Sequence, residues 1–173
     1  RRLKLLGWAY EREERYLIED DYDSEFRYKG KPIPALQGYD RQGKVIYLGT
    51  FSKSIAPAIR VSFLVLPERL LAVYQEQGRA FSSTVSRVDQ MIVAAFLEEG
   101  YYERHLNKMR AIYKGRHDLL LEGLRAIKGI EVTGENAGVH LLVHFQNGLT
   151  EEEAIERAAK AGIRVYGLCA DLV

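Results

Sequence analysis

A chain of 173 residues, 47% apolar and 28% charged, is long enough for one domain with a real core or for one and a half small ones, and its composition is that of an ordinary soluble globular protein. Its 25 basic against 24 acidic side chains leave a net charge of +1, which gives no electrostatic case for nucleic-acid or membrane binding by this segment. One cysteine, Cys169, excludes an internal disulfide framework and fits a reducing compartment. With no apolar run of membrane-spanning length, no signal-peptide pattern and no low-complexity tract, the cytoplasm is the expected location and no membrane partner is expected.

The chain opens without methionine on "RRLKLLGWAYERE", where Leu3, Leu6 and Tyr10 follow helical spacing and predict a helix over 1–13. The strand "RYLIED" follows, and its continuous apolar middle predicts burial on both faces. "KGKPIPALQG", with two prolines and two glycines, is too irregular for an element. The strands "KVIYLG" and "RVSFLVL" then flank a small-residue loop. A helix over 67–78 opens with Pro67 at its first position, and Ser83 or Thr84 is expected to cap the next, which runs to Gly100. From 101 to about 127, Tyr102, Leu106, Met109, Tyr113, Leu120, Leu124 and Ile127 form one apolar stripe along a long helix. Beyond Gly129, "IEVTG", "GVHLLVHF", a helix over 150–161 and "IRVYG" predict a β-β-α-β unit. The order predicts an α/β fold in two lobes: 1–100 as part of a large domain, 101–128 as the connecting helix, and 129–173 as a small, incomplete C-terminal α+β lobe. Because it starts at a helix edge and stops near a strand, the chain is expected to be a piece of a larger polypeptide.

Chemistry in an α/β sheet gathers where strands end at their carboxyl edge. Two stretches end there. "YLIEDDYDSEFRY" delivers Glu19, Asp20 and Asp21, followed by Tyr22. "YLGTFSKSIAPAIR" breaks at Gly49 and places Lys53 between two serines, with Arg60 seven residues on. If the two strands lie side by side in parallel, Asp20 and Lys53 face one crevice. A solvated loop residue is the ordinary reading of a lysine, and Asp, Tyr, Lys and Arg near strand ends also occur as structural ion pairs. The chemical reading is a lysine that forms a Schiff base with a carbonyl compound such as pyridoxal phosphate, PLP. PLP needs an acidic partner for its pyridinium nitrogen, and its phosphate needs a planar cation with hydroxyl or backbone donors. Asp20, Arg60 and Thr50 or Ser52 match those needs. No metal site is expected: His105 and His117 lie on the long helix, and His140 and His144, on one strand face, are too far apart.

"EDDYDSEFRY", followed by "IYLGTFSKSIAPAIRVSFLVLP", resembles the aminotransferase-like domain of MocR-type regulators in the GntR family of bacterial transcription factors. "SSTVSRVDQMIVAAFLEEGYYERHLNKMRAIYKGRHDLL" is similar to the segment that follows there, so the likeness covers nearly the whole chain. The resemblance implies the type I fold of PLP-dependent aminotransferases, with 1–100 in its PLP-binding large domain. It implies that Lys53 holds PLP as a Schiff base, that Asp20 pairs with the pyridine nitrogen and that Tyr22 hydrogen-bonds the ring's phenolic oxygen. Arg60 would bind the phosphate, with Thr50 and Ser52 as hydroxyl helpers. For Tyr22 the plainer alternative is packing under the ring loop, and Asp21, Asp23 and Glu25 are read as a solvated or structural cluster outside the site.

The family's winged helix-turn-helix, the upstream half of its aminotransferase domain and the carboxylate-gripping arginine near its C-terminus have no counterpart in the sequence, and Arg164 is read as structural. The chain is therefore expected to hold only part of the site and to retain no PLP firmly by itself. The resemblance implies an effector domain that senses an amine or amino acid by Schiff-base exchange at Lys53, in a homodimer that reaches DNA only through an upstream domain. The alternative is a genuine aminotransferase acting on an amino acid and a 2-keto acid. Stand-alone enzymes of the nearest group tend to carry a proline before the tyrosine, as "EDDPY", whereas this chain reads "EDDYDSEF". A non-catalytic dimerisation module without cofactor would require an inert Lys53.

Overall fold

The computed structural model describes residues 1–78 and 80–168; Cys169 and the last residues of the expected small lobe lie outside the described residues. The chain forms two compact units, Arg1–Gly115 with Asn136–Val139, and Arg116–Glu135 with the chain from His140 on.

The first unit begins with α1 (Arg2–Tyr10), which stops short of the expected residue 13. The carbonyls of Arg12 and Glu13 are turned instead toward the buried Lys44, whose Nζ donates to them at 3.2 and 2.6 Å. Asp40 ties the same region together. Its carboxylate accepts from the Tyr10 hydroxyl at 2.9 Å and from the backbone N–H groups of Gln42, Lys44 and Val45 at 3.0, 2.5 and 2.7 Å. Burial works against the charge, but these donors outweigh it and hold the carboxyl below its ordinary range. Leu6, Leu36 and Val45 form a buried cluster against which Tyr10 and Leu17 pack.

The sheet has the order β1-β2-β3 (Leu17–Asp21, Val45–Thr50 and Ser62–Val65), with β1 parallel and β3 antiparallel to β2. Between β1 and β2 the only helical element is a 3₁₀ turn, Gln37–Tyr39. Register and alternation sort the side chains onto two faces. Leu17, Glu19, Asp21, Val45, Tyr47 and Phe63 share the face that carries the α1 core. Ile18, Asp20, Leu48, Thr50, Ser62 and Leu64 share the other. Burial on both faces of the first strand, expected from its apolar run, does not hold: Ile18 is 68% exposed and, across the sheet, Leu64 is 50% exposed. Leu71 and Tyr74 flank that face beside Leu48 and Leu64, leaving an open groove.

After β3, α2 (Glu68–Gly78) follows Pro67. The cap of α3 (Arg87–Glu98) is neither Ser83 nor Thr84 but Ser86, whose hydroxyl accepts from Asp89 N at 3.3 Å. Gly100, at φ +70°, breaks the chain between α3 and α4 (Tyr101–Arg125). The α4 stripe differs from the expected one at its end: Leu121 is buried while Leu120 is 55% exposed, because the next residue round the helix, one step of 100°, carries the seam. Near its start, Tyr102 meets Phe51 and Phe96 edge-on, and Phe51 packs on Phe63.

In the second unit β4 (Ile130–Thr133) pairs antiparallel with β5 (Leu142–Phe145), and α5 (Glu151–Lys160) starts with a capping box between Thr150 and Glu153. The expected strand "GVHLLVHF" is shorter than its apolar pattern. Gly138 and Val139 belong to the first unit, where their N–H groups donate to Phe26 O and to Asp23. His140 thus falls outside the strand that holds His144. The expected strand "IRVYG" is not formed, since neither β4 nor β5 pairs with it; the chain leaves α5 in a turn in which Ile163 N donates to Ala158 O. Among the described residues no cluster of metal-ligating side chains occurs, and no helix is long and apolar enough to cross a membrane.

Candidate functional site

The loop that carries Lys53 is built by its own hydroxyls. Phe51 N donates to Val61 O at 3.0 Å and Ile55 N to Phe51 O at 2.9 Å, folding residues 51–61 back on themselves. Ser52 Oγ donates to Ile59 O at 2.6 Å, and Thr50 Oγ1 to Val61 O at 3.4 Å. Thr50 Oγ1 in turn accepts from Ser52 N and from Ser62 Oγ, both at 3.2 Å. At the loop's root only glycine fits position 49, because a Cβ there would stand 2.3 Å from the Phe63 ring. Ser54 is 1% exposed, its hydroxyl set against the Tyr102 phenol without a hydrogen bond of regular geometry. With Ser54 turned inward, Lys53 is left exposed on the loop surface.

The acidic strand end divides in two. Glu19 accepts from Arg2 at 2.5 Å and from the N–H groups of Leu36 and Gln37 at 2.7 and 3.0 Å, so it caps the 3₁₀ turn and anchors α1. Asp21 accepts from the Tyr47 hydroxyl and from Ser24 Oγ, each at 2.7 Å. Asp23 accepts from Val139 N at 3.2 Å. Asp20 alone of the four makes no hydrogen bond or ion pair with a described residue, and it is exposed. Tyr22 is 43% exposed, and its phenol is held above its ordinary range by the charge of Asp23, then by burial, then by Asp20.

Topology brings the free charges to one place. β1 and β2 are parallel, so Asp20 and the Lys53 loop leave the sheet at the same edge. β3 is antiparallel, so Arg60, two residues before it, enters at that edge too. Like Asp20, Lys53 and Arg60 are exposed and make no hydrogen bond or ion pair with a described residue. An exposed amine, guanidinium and carboxylate at one sheet edge are the group types that a ligand which is carbonyl, anion and base at once would need. A groove of about 620 Å³ adjoins this edge; Leu48, Ser62, Leu64, Leu71 and Tyr74 line it, while the three charges stand on open surface outside it. Ser62 lies opposite Thr50 in the register, two residues after Arg60.

The sequence profile of the aminotransferase class I and II family matches residues 7–167. Over 168 residues the chain is 46% identical to the uncharacterized HTH-type transcriptional regulator YhdI of Bacillus subtilis, an alignment that takes in 96% of this chain and 36% of that protein. It is 37% identical to the probable rhizopine catabolism regulatory protein MocR of Rhizobium meliloti, over 92% of this chain and 32% of the relative. Among solved structures, the kynurenine aminotransferase of Pyrococcus horikoshii, determined in complex with PMP, superposes with a TM-score of 0.83 at 31% identity, over 94% of this chain and 41% of that one. The chain thus spans about a third of the length of the curated relatives it matches.

Proposed function

The chain belongs to the aminotransferase class I and II family and has the type I fold of its PLP-dependent members, and on that premise we propose that it is the PLP-binding effector domain of a bacterial transcription regulator of MocR type. The observation that carries this reading is the contrast at the sheet edge: Glu19, Asp21 and Asp23 are all engaged in holding the chain, while Asp20, Lys53 and Arg60 are left available together.

The donor set fits the cofactor. Lys53 Nζ would hold it covalently. The Asp20 carboxylate would keep a proton on the ring nitrogen, and the Tyr22 hydroxyl, whose proton is retained because its carboxylate neighbours oppose a phenolate, would donate to the ring's phenolic oxygen. The Arg60 guanidinium would grip the phosphate as a planar fork, with the hydroxyls of Thr50 and Ser52 on the loop beside it. When bound, PLP supplies an exchangeable carbonyl for amines and a protonated ring that withdraws electrons. Regulation is favoured over turnover by the named regulators among the relatives, and by the absence of a proline before Tyr22. In this reading the whole protein is a cytoplasmic homodimer that meets DNA through a domain outside this chain, and its ligand is an amine or amino acid.

The alternative, a true aminotransferase converting an amino acid and a 2-keto acid, draws on the solved enzymes of the same fold. A polypeptide of the relatives' length, loaded with PLP and mixed with a panel of amines and amino acids, separates the two. A ligand-dependent change in the cofactor's absorbance without keto-acid release supports the sensor; catalytic release of keto acid supports the enzyme.

A further inference from the structure

The hydrogen bonds of residues 51–61 give the lysine loop its shape but not its placement, because each joins two parts of the loop itself. Placement against the rest of the unit falls to the side chains turned inward from it. Phe51 meets Phe63 with ring centroids 5.4 Å apart and Tyr102 edge-on at 6.0 Å. Ser54 is buried, and its hydroxyl acts on the Tyr102 phenol. A buried hydroxyl is costly unless a polar group answers it. Phe51 and Ser54 bracket Lys53 in the chain, and both meet the same residue. Burial raises the Tyr102 phenol above its ordinary range against the pull of Ser54; Glu25 and Glu103 raise it further and Arg110 lowers it, so near pH 7 it is a neutral hydroxyl. Tyr102 stands in the first turn of α4, and the same helix also holds the loop that follows Asp20. Two turns on, Arg110 Nε donates to Glu25 O at 2.7 Å, and Tyr113 meets the fully buried Phe26 edge-on at 4.9 Å. At 1.5 Å of rise per residue, Tyr102 and Arg110 lie about 12 Å apart along one helix, which sets the two loops against a common support.

From these contacts we infer that Tyr102 is the positioning residue of Lys53: its ring holds Phe51 and its hydroxyl holds Ser54, so that the lysine between them is the side chain presented outward at the sheet edge. The inference rests on the reading that Lys53 carries PLP. Tyr102 acts through the loop, which separates two effects of its removal: a displaced lysine loses affinity for any aldehyde that condenses with it, whereas a residue that only supports the fold lowers the melting temperature and leaves the folded protein's affinity as it was.

Schiff-base formation with PLP and with pyridoxal, the same aldehyde without the phosphate, is measured by absorbance titration on a polypeptide of the relatives' length, at a temperature where circular dichroism shows each variant folded. Tyr102→Phe keeps the ring against Phe51 and strands the Ser54 hydroxyl. It is expected to weaken both compounds alike, about tenfold. Adding Ser54→Ala to Tyr102→Phe removes the stranded hydroxyl and is expected to bring both affinities back to within about twofold of wild type, because a buried pair replaced on both sides leaves nothing unpaired. Unchanged affinities in Tyr102→Phe, with only the melting temperature lowered, would make the residue a support of the fold and overturn the inference. A loss confined to PLP, or one that Ser54→Ala fails to restore, would place the phenol against the ligand and overturn it as well. A reducible adduct that persists in Lys53→Ala would overturn the underlying reading, and the Tyr102 assignment with it.

Discussion

The Asp21 carboxylate accepts the Tyr47 hydroxyl at 2.7 Å on the face of the sheet opposite Asp20. Two adjacent carboxylates are thus placed differently: Asp21 closes the strand end against β2, and Asp20 stands exposed on the other face. Burial and the Asp21 charge push the Tyr47 phenol well above its ordinary value, so the bond keeps its proton at any working pH. Asp20→Ala is expected to weaken PLP retention and amine exchange strongly, measured by cofactor loss on dialysis. Asp21→Ala is expected to do much less to PLP while lowering thermal stability, by about 1–3 kcal/mol for the donors it strands. A larger cofactor loss in Asp21→Ala would mean that the site is registered one residue along the strand.

Asp40 makes stability depend on acid. Its folded carboxyl sits below the ordinary range, so the stabilisation it contributes is fully present above the unfolded value of about 3.9 and is lost as pH falls through the lowered folded value. Urea denaturation from pH 7 down to pH 2 should show a steeper decline for wild type than for Asp40→Asn, with the two converging at the acid end.

Glu25 has the opposite sign. Burial raises its carboxyl first; its own backbone N–H and Arg110 lower it, Asp21 and Asp23 raise it further, and one of its oxygens is buried without a partner. The raised folded value means that stability is retained at low pH and lost as pH rises through that value. Glu25→Gln should therefore raise the melting temperature near pH 7 and change little below pH 4. A variant that is less stable at neutral pH would show that the Glu25 charge is wanted.

The open face of the sheet bears on assembly. Among the described residues β1 and β3 are both edge strands, and Ile18 on β1 and Leu64 on β3 are exposed. Such a surface rarely stays bare in water. The isolated 173-residue chain is expected to run as a dimer or larger species in light scattering and to keep no PLP through dialysis. A monomer holding one PLP per chain would contradict both expectations.

The shared edge of Asp20 and Lys53 was more legible than its surroundings. A strand ending in "EDD" and another ending in "GTFSK" are each visible in sequence, and once they pair in parallel the carboxyl-edge rule puts Asp20 and Lys53 at one edge. The division of labour among Glu19, Asp20 and Asp21 was not legible, because it depends on which face of β1 meets α1. The apolar run around Ile18 likewise could not say which side is covered. Ser86 caps α3 while Ser83 accepts from Val85 N in the turn before it, a division that composition does not encode. Leu121 replaces Leu120 on the α4 seam because one residue is enough to rotate a stripe out of contact. "IRVYG" has strand composition, but a strand needs a partner edge, and its sequence does not supply one.

The most direct test of the account is borohydride reduction of a PLP-loaded polypeptide of the relatives' length, followed by peptide mapping. A stable phosphopyridoxyl group is expected on Lys53 at about one per chain, absent from Lys53→Ala, with other exposed lysines such as Lys29 and Lys31 unmodified at the same PLP concentration. The same adduct yield in Lys53→Ala, or label spread evenly over the surface lysines, would contradict it.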